Sequence, residues 1–162
     1  MSEVLSGVVR LQDGIAFQAT SGSDHIITLD GRPEHGGAGR GPSPMELLLL
    51  ALGSCTGMTV LDLLRRRRQE VSGYEIHLEG EQTDVHPRIF KRIQVEHRIR
   101  GHALDPAIVG RAIELAATRY CPVMAMLGKA TTIDERYRLI DDATGAELMG
   151  GAIGFHVARS QP

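Results

Sequence analysis

The chain has 162 residues, 42% hydrophobic and 23% charged, with 18 lysines and arginines against 20 acids for a formal charge of −2. That length suits one domain over residues 1–162 with a single core, and a balance this even offers no electrostatic footprint for nucleic acid. Two cysteines are too few for a disulfide framework, so free thiols in a reducing compartment are expected.

The opening, MSEVLSGVVR, lacks the basic-then-apolar order of a secretory leader, and the expected location is the cytoplasm. Residues 4–9, 15–20 and 25–30 are short β-branched or alternating runs, parted by Gln12-Asp13-Gly14 and by Ser21-Gly22-Ser23-Asp24. Asp-Gly between two such runs marks a hairpin, because glycine accepts the positive φ of a tight turn, and the three runs predict an antiparallel meander. Residues 31–43 hold five glycines and two prolines and predict a loop. No Gly-Lys-Ser/Thr follows, so it does not match a phosphate-binding loop.

Residues 44–68, PMELLLLALGSCTGMTVLDLLRRRR, predict one long helix that is apolar on nearly every face. Its start is well specified, with Ser43 as N-cap, Pro44 in the first turn and Glu46 where a capping box places its acid. Arg65 to Arg68 complement the negative pole of the macrodipole, and Gly73 is expected as the stop. About 20 apolar residues would also span a bilayer. Glu46 and Asp62 near the ends, and Gly53, Ser54, Cys55, Thr56 and Gly57 in the middle, weigh against a membrane. A helix without a polar face needs cover on more than one side, which predicts a homodimer burying two such helices together.

Residues 74–83 and 89–100 alternate and predict two strands, each with one buried and one wet face; His77 and His97 are expected on wet faces. Residues 104–120 predict a second helix opened by Asp105 and Pro106. Cys121-Pro122 breaks it, because proline disfavours helical geometry in the residue before it, and a short piece over 123–127 follows. Residues 131–140 predict a final strand, and residues 141–162 a weakly structured tail or an edge element. The fold class is therefore α+β, with antiparallel sheet and two central helical elements.

Among the residues that could carry chemistry, the seven histidines form no metal-ligand spacing and no serine sits in a Gly-x-Ser-x-Gly turn. That leaves Cys55, inside the long helix, and Cys121, at the helix break. Free cysteine more often packs than reacts, and their separation is no redox motif by itself. A thiolate at Cys55 would need a cation from elsewhere, since the helix N-terminus lies about three turns away. Arg32 and Arg40 lie near the helix start in sequence.

Ser43-Pro44, an acid in the next turn, a leucine and alanine run, then Gly53-Ser54-Cys55 eleven residues after the proline, with Cys121-Pro122-Val123 after a second helix, together resemble the OsmC/Ohr family of osmotically inducible and organic hydroperoxide resistance proteins. The resemblance covers residues 1–140 and implies an intertwined homodimer, sheets wrapped around two central helices, and reduction of organic hydroperoxides. It makes Cys55 the peroxidatic thiol and Cys121 the resolving one, with no metal, flavin or other cofactor, and with a small dithiol or a lipoylated protein as reductant. Two positions depart from the family pattern. Met45 stands where family peroxidases carry a glutamate, with Glu46 turned about 100° around the helix axis, and Gln12 stands where they carry an arginine. Arg10, Arg32, Arg40 and Glu46 are the candidates to line the site or activate the thiol. The alternative expectation is a dimer of the same fold that keeps both thiols without fast peroxidase chemistry and binds a small apolar or electrophilic ligand between subunits.

Overall fold

A computed structural model of the chain describes residues 4–153. They form two compact units, divided between Leu48 and Leu49 inside the long helix.

In the first unit, β1 (Gly7–Leu11), β2 (Phe17–Ser21) and β3 (Ile26–Leu29) make an antiparallel meander in the order β1-β2-β3. Leu11 pairs with Phe17 around a turn in which Gly14 takes φ 60°, the conformation that the Asp-Gly signal requires. The loop that follows is folded on Asp30. This buried carboxylate accepts hydrogen bonds from the backbone N–H groups of Gly31, Ala38 and Arg40 and from Arg40 Nε. Helix α1 (Pro44–Arg66) then begins in a capping box. Glu46 Oε2 accepts from Ser43 N at 2.7 Å, and Ser43 Oγ accepts from Glu46 N at 3.3 Å.

In the second unit, β4 (Glu70–Gln82) and β5 (Phe90–His102) form a long antiparallel hairpin, and the sheet continues through β6 (Thr132–Asp141) to β7 (Glu147–Ile153) in the order β4-β5-β6-β7. Between β5 and β6 the chain runs through α2 (Pro106–Leu115), a π-helical turn over Ala116–Tyr120 and α3 (Pro122–Leu127). Asp105 caps α2, accepting from Ala107 N and Ile108 N. A crossover of this length lets the two flanking strands pair in parallel, and β5 and β6 do so, from Arg92 opposite Thr132 to Gly101 opposite Asp141. The antiparallel expectation for the sheet therefore fails at this one pair. Nor is β6 the final strand: β7 pairs antiparallel with it at the sheet edge, and residues 154–162 of the expected tail lie outside the described residues.

Two glycines let α1 approach the sheet. A Cβ on Gly53 would stand 2.5 Å from Leu78 Cδ1, and one on Gly57 2.6 Å from Ile76 Cδ1. Val60 and Leu64, further along the same helix, enter a core with Ile99, Leu104, Val109, Ile113 and Leu139. By length and composition α1 could cross a membrane, and 33% of its most apolar stretch is buried within this chain. The helix ends differently from the expectation at Gly73. Arg68 itself takes φ 56°, Gln69 N bonds back to Leu64 O, and Gly73 falls at a bulge in β4. His97 is also corrected: it was expected on a wet face and is fully buried in the structure. Strand alternation explains it, because residue 97 is in phase with Ile93, Val95 and Ile99, all fully buried.

Candidate functional site

The two cysteines meet. Cys55 is half-buried on α1, and Cys121, 2% exposed, brings its Sγ to 3.2 Å from Cys55 Sγ. Local chemistry fixes Cys121. Pro122 holds it in an extended conformation at φ −81° and ψ 108°, its N–H bonds to Ala116 O across the π-helical turn, and its sulfur caps α3 by accepting from Met124 N at 3.4 Å. The fully buried Thr56 supplies the remaining neighbour. Its hydroxyl donates to Leu52 O at 2.9 Å and also lies within reach of Cys121 Sγ, 3.4 Å away.

Burial pushes the Cys121 thiol up from its ordinary value; the bonds to Thr56 and Met124 N pull it down, and the neighbouring Cys55 sulfur raises it again, with a net rise. Cys121 is therefore a protonated, buried thiol, and its S–H can point at Cys55. Among the described residues the hydrogen-bond partners of both sulfurs are neutral.

The profile of the family described as OsmC-like protein matches residues 36–136, a span that holds both cysteines. This chain belongs to the OsmC-like family. Protein YhfA of Escherichia coli K12 is 36% identical over 132 residues, which cover 82% of this chain and 96% of YhfA. Among solved structures, a hypothetical protein from Aquifex aeolicus is similar with a TM-score of 0.78 at 28% identity, over 87% of this chain and 99% of that one. An organic hydroperoxide resistance protein OsmC from Legionella pneumophila, also described as a predicted redox protein and regulator of sulfide bond formation, shares the fold with a TM-score of 0.64 at 12% identity, over 82% and 95% of the two chains.

The other candidate residues of this OsmC-like chain lie in its first unit, where each has a local setting. Arg40 is held between Asp30 and Asp13, with Nε 3.3 Å from Asp30 Oδ2 and Nη1 3.6 Å from Asp13 Oδ2. Arg32 Nη2 approaches Glu46 Oε1 at 3.8 Å, and Arg10 is exposed on β1. The Glu46 carboxyl is held below its ordinary range by the bonds from Ser43, with Arg32 adding to them, so it is an ionised part of the helix cap.

Three functional-looking groups had escaped sequence reasoning. Thr56 follows Cys55 directly, and its only signal was its place on a helix face in phase with the buried Gly53 and Val60. Asp30 ends a predicted strand and gave no sign of its role. The third is a buried chain of polar groups inside the sheet: Tyr74 Oη lies 2.6 Å from His97 Nδ1, and His97 Nε2 lies 3.2 Å from Glu135 Oε1. Burial and the Glu135 charge push the Tyr74 hydroxyl far up, so Tyr74 stays protonated and donates to Nδ1. Nε2–H then donates to Glu135, whose Oε2 finds no partner among the described residues. Among the described residues no group of three or more histidines, cysteines and acids could hold a metal ion.

Proposed function

We propose that this chain is a thiol-dependent peroxidase that reduces organic hydroperoxides through Cys55. The observation that carries the proposal is the 3.2 Å approach of two sulfurs, one half-buried and reachable, the other buried and hydrogen-bonded. The Cys55 thiolate attacks the terminal peroxide oxygen, the O–O bond breaks, and the alkoxide takes a proton to leave as the alcohol, giving Cys55 sulfenic acid. The Cys121 sulfur then attacks Cys55, its proton leaves with the hydroxyl as water, and the disulfide forms. A dithiol or lipoylated protein restores both thiols by exchange. Membership of a family with relatives named for organic hydroperoxide resistance supports the substrate class.

The working form is a cytoplasmic homodimer in this reading. Leu50 and Met58 on α1 are 55% and 74% exposed in the single chain, and Val9, Leu11 and Ile26 of the meander are over half exposed. Apolar surface of that extent is the kind a second copy covers.

The neutral setting of the two sulfurs favours a second reading, a dimer that binds a small apolar or electrophilic ligand between subunits without fast turnover. A thiol count separates the two. One equivalent of cumene hydroperoxide, with hydrogen peroxide in parallel, should remove two thiols per chain rapidly and with preference for the organic peroxide, and dihydrolipoamide should return them. Thiols that persist for hours would refute the peroxidase reading in favour of the binder.

A further inference from the structure

The end of α1, helix α2 and Tyr120 of the π-helical turn enclose a half-open groove of about 480 Å³ that neither cysteine lines, within the size range of small-molecule sites. Its floor is apolar, carried by the half-buried Leu63, Ile108 and Leu115. Three guanidinium groups, of Arg66, Arg67 and Arg111, line it with no acid among the lining residues. The groove is built rather than incidental. Arg68 turns the chain sharply after α1, and Gln69 Oε1 then accepts from Asp105 N at 2.8 Å, tying the end of one helix to the cap of the next.

The arginines are available. Arg66 pairs with Asp62 and Arg111 with Glu114, both one helical turn away on their own helices, and side chains 74% and 60% exposed make such pairs weak and exchangeable. Arg67 has no ion pair among the described residues. A cationic rim over an apolar floor complements an anionic head on an apolar tail. The guanidinium fork matches a carboxylate with two parallel hydrogen bonds.

We propose that this groove is a binding site for a medium-chain fatty acid, with the carboxylate on Arg67 and Arg111 and the alkyl chain along Leu63, Ile108 and Leu115. The proposal does not depend on peroxidase activity.

The test is calorimetric titration of the full-length protein with decanoate, beside decanol and decyltrimethylammonium, using wild type, Arg67→Gln/Arg111→Gln, Ile108→Glu and Cys55→Ser/Cys121→Ser. Both arginines are exposed, Arg67 in the turn after α1 and Arg111 on α2, so their replacement leaves the core intact. One decanoate should bind per chain, at least tenfold more tightly than decanol and without measurable binding of the cation. The arginine double variant should weaken it about tenfold, Ile108→Glu should abolish it, and the thiol double variant should leave it unchanged. Octanoate should bind about tenfold more weakly than decanoate, as the loss of two buried methylenes requires. No binding to wild type, binding indifferent to the arginines, or decanol binding as well as decanoate would each overturn the proposal. Binding that disappears as rising protein concentration drives self-association would also overturn it, by assigning the groove to a second copy.

Discussion

Oxidation of the thiol pair should stabilise the protein, and the structure sets the scale. Cys55 and Cys121 are 66 residues apart, so a bond between them closes a long loop in the unfolded chain. Loop-closure entropy for that length corresponds to about 4 kcal/mol at 25 °C, less whatever strain the folded state takes up. Strain should be small, because the sulfurs need to close from 3.2 Å by only about 1.2 Å to reach bonding distance. For a chain of this size about 4 kcal/mol corresponds to a rise in Tm of roughly 8–16 °C. The assay is thermal unfolding by circular dichroism of reduced and cumene hydroperoxide-treated protein at equal chain concentration, since any self-association would make Tm concentration-dependent. Mass spectrometry of the non-reduced protein verifies an intrachain bond, and Cys121→Ser serves as the control that peroxide should not stabilise. An intrachain disulfide that leaves Tm unchanged or lowers it would refute the reasoning, because it would mean that the folded chain must distort to bring the sulfurs together.

Acid should expose the role of Glu96, a buried carboxylate on β5. Burial pushes it up, but Arg138, Arg98 and Arg136 outweigh that and hold it at about 2, below its ordinary 4.5. A depressed folded value gives stability that is fully present above pH 4.5 and is lost as pH falls toward 2, so Glu96→Gln should flatten the acid limb in urea titrations across that window; parallel curves for the two proteins would count against it. Tyr74→Phe removes the donor to buried His97 Nδ1 and should cost about 1–3 kcal/mol in urea unfolding, with an unchanged midpoint being the contrary result.

What could be read in advance was what is decided locally. Ser43, Pro44 and Glu46 lie within four residues of one another, and Asp105 adjoins Pro106, so both helix starts were visible as chemistry. The Asp-Gly turn was visible for the same reason. Elements that depend on distant partners were not. Nothing near β5 or β6 announces that they pair in parallel, because the pairing is decided by a crossover that no turn motif encodes. His97 was misplaced by one step of strand phase, which hid its bonds to Tyr74 and Glu135. Gly73 drew the helix stop away from Arg68, since sequence alone favours glycine for a left-handed residue. At the candidate site, a separation of 66 positions leaves no motif by which to join Cys55 to Cys121, and the family resemblance supplied the pair. Their polar neighbours Thr56 and Met124 N became legible only in three dimensions.

The parallel crossover also sets when the sulfurs can meet. Cys55 is synthesised before β5 exists, whereas Cys121 arrives on the connection between β5 and β6, ahead of the ladder that this connection closes. Pairings so remote in sequence form late, after the local hairpin and helices. A nascent chain emerging from the ribosome therefore carries Cys55 alone for more than sixty residues of synthesis, with no second thiol of its own to couple to. The approach of the two sulfurs is in this way withheld until the last third of the chain has folded, which makes the thiol pair a marker of completed folding.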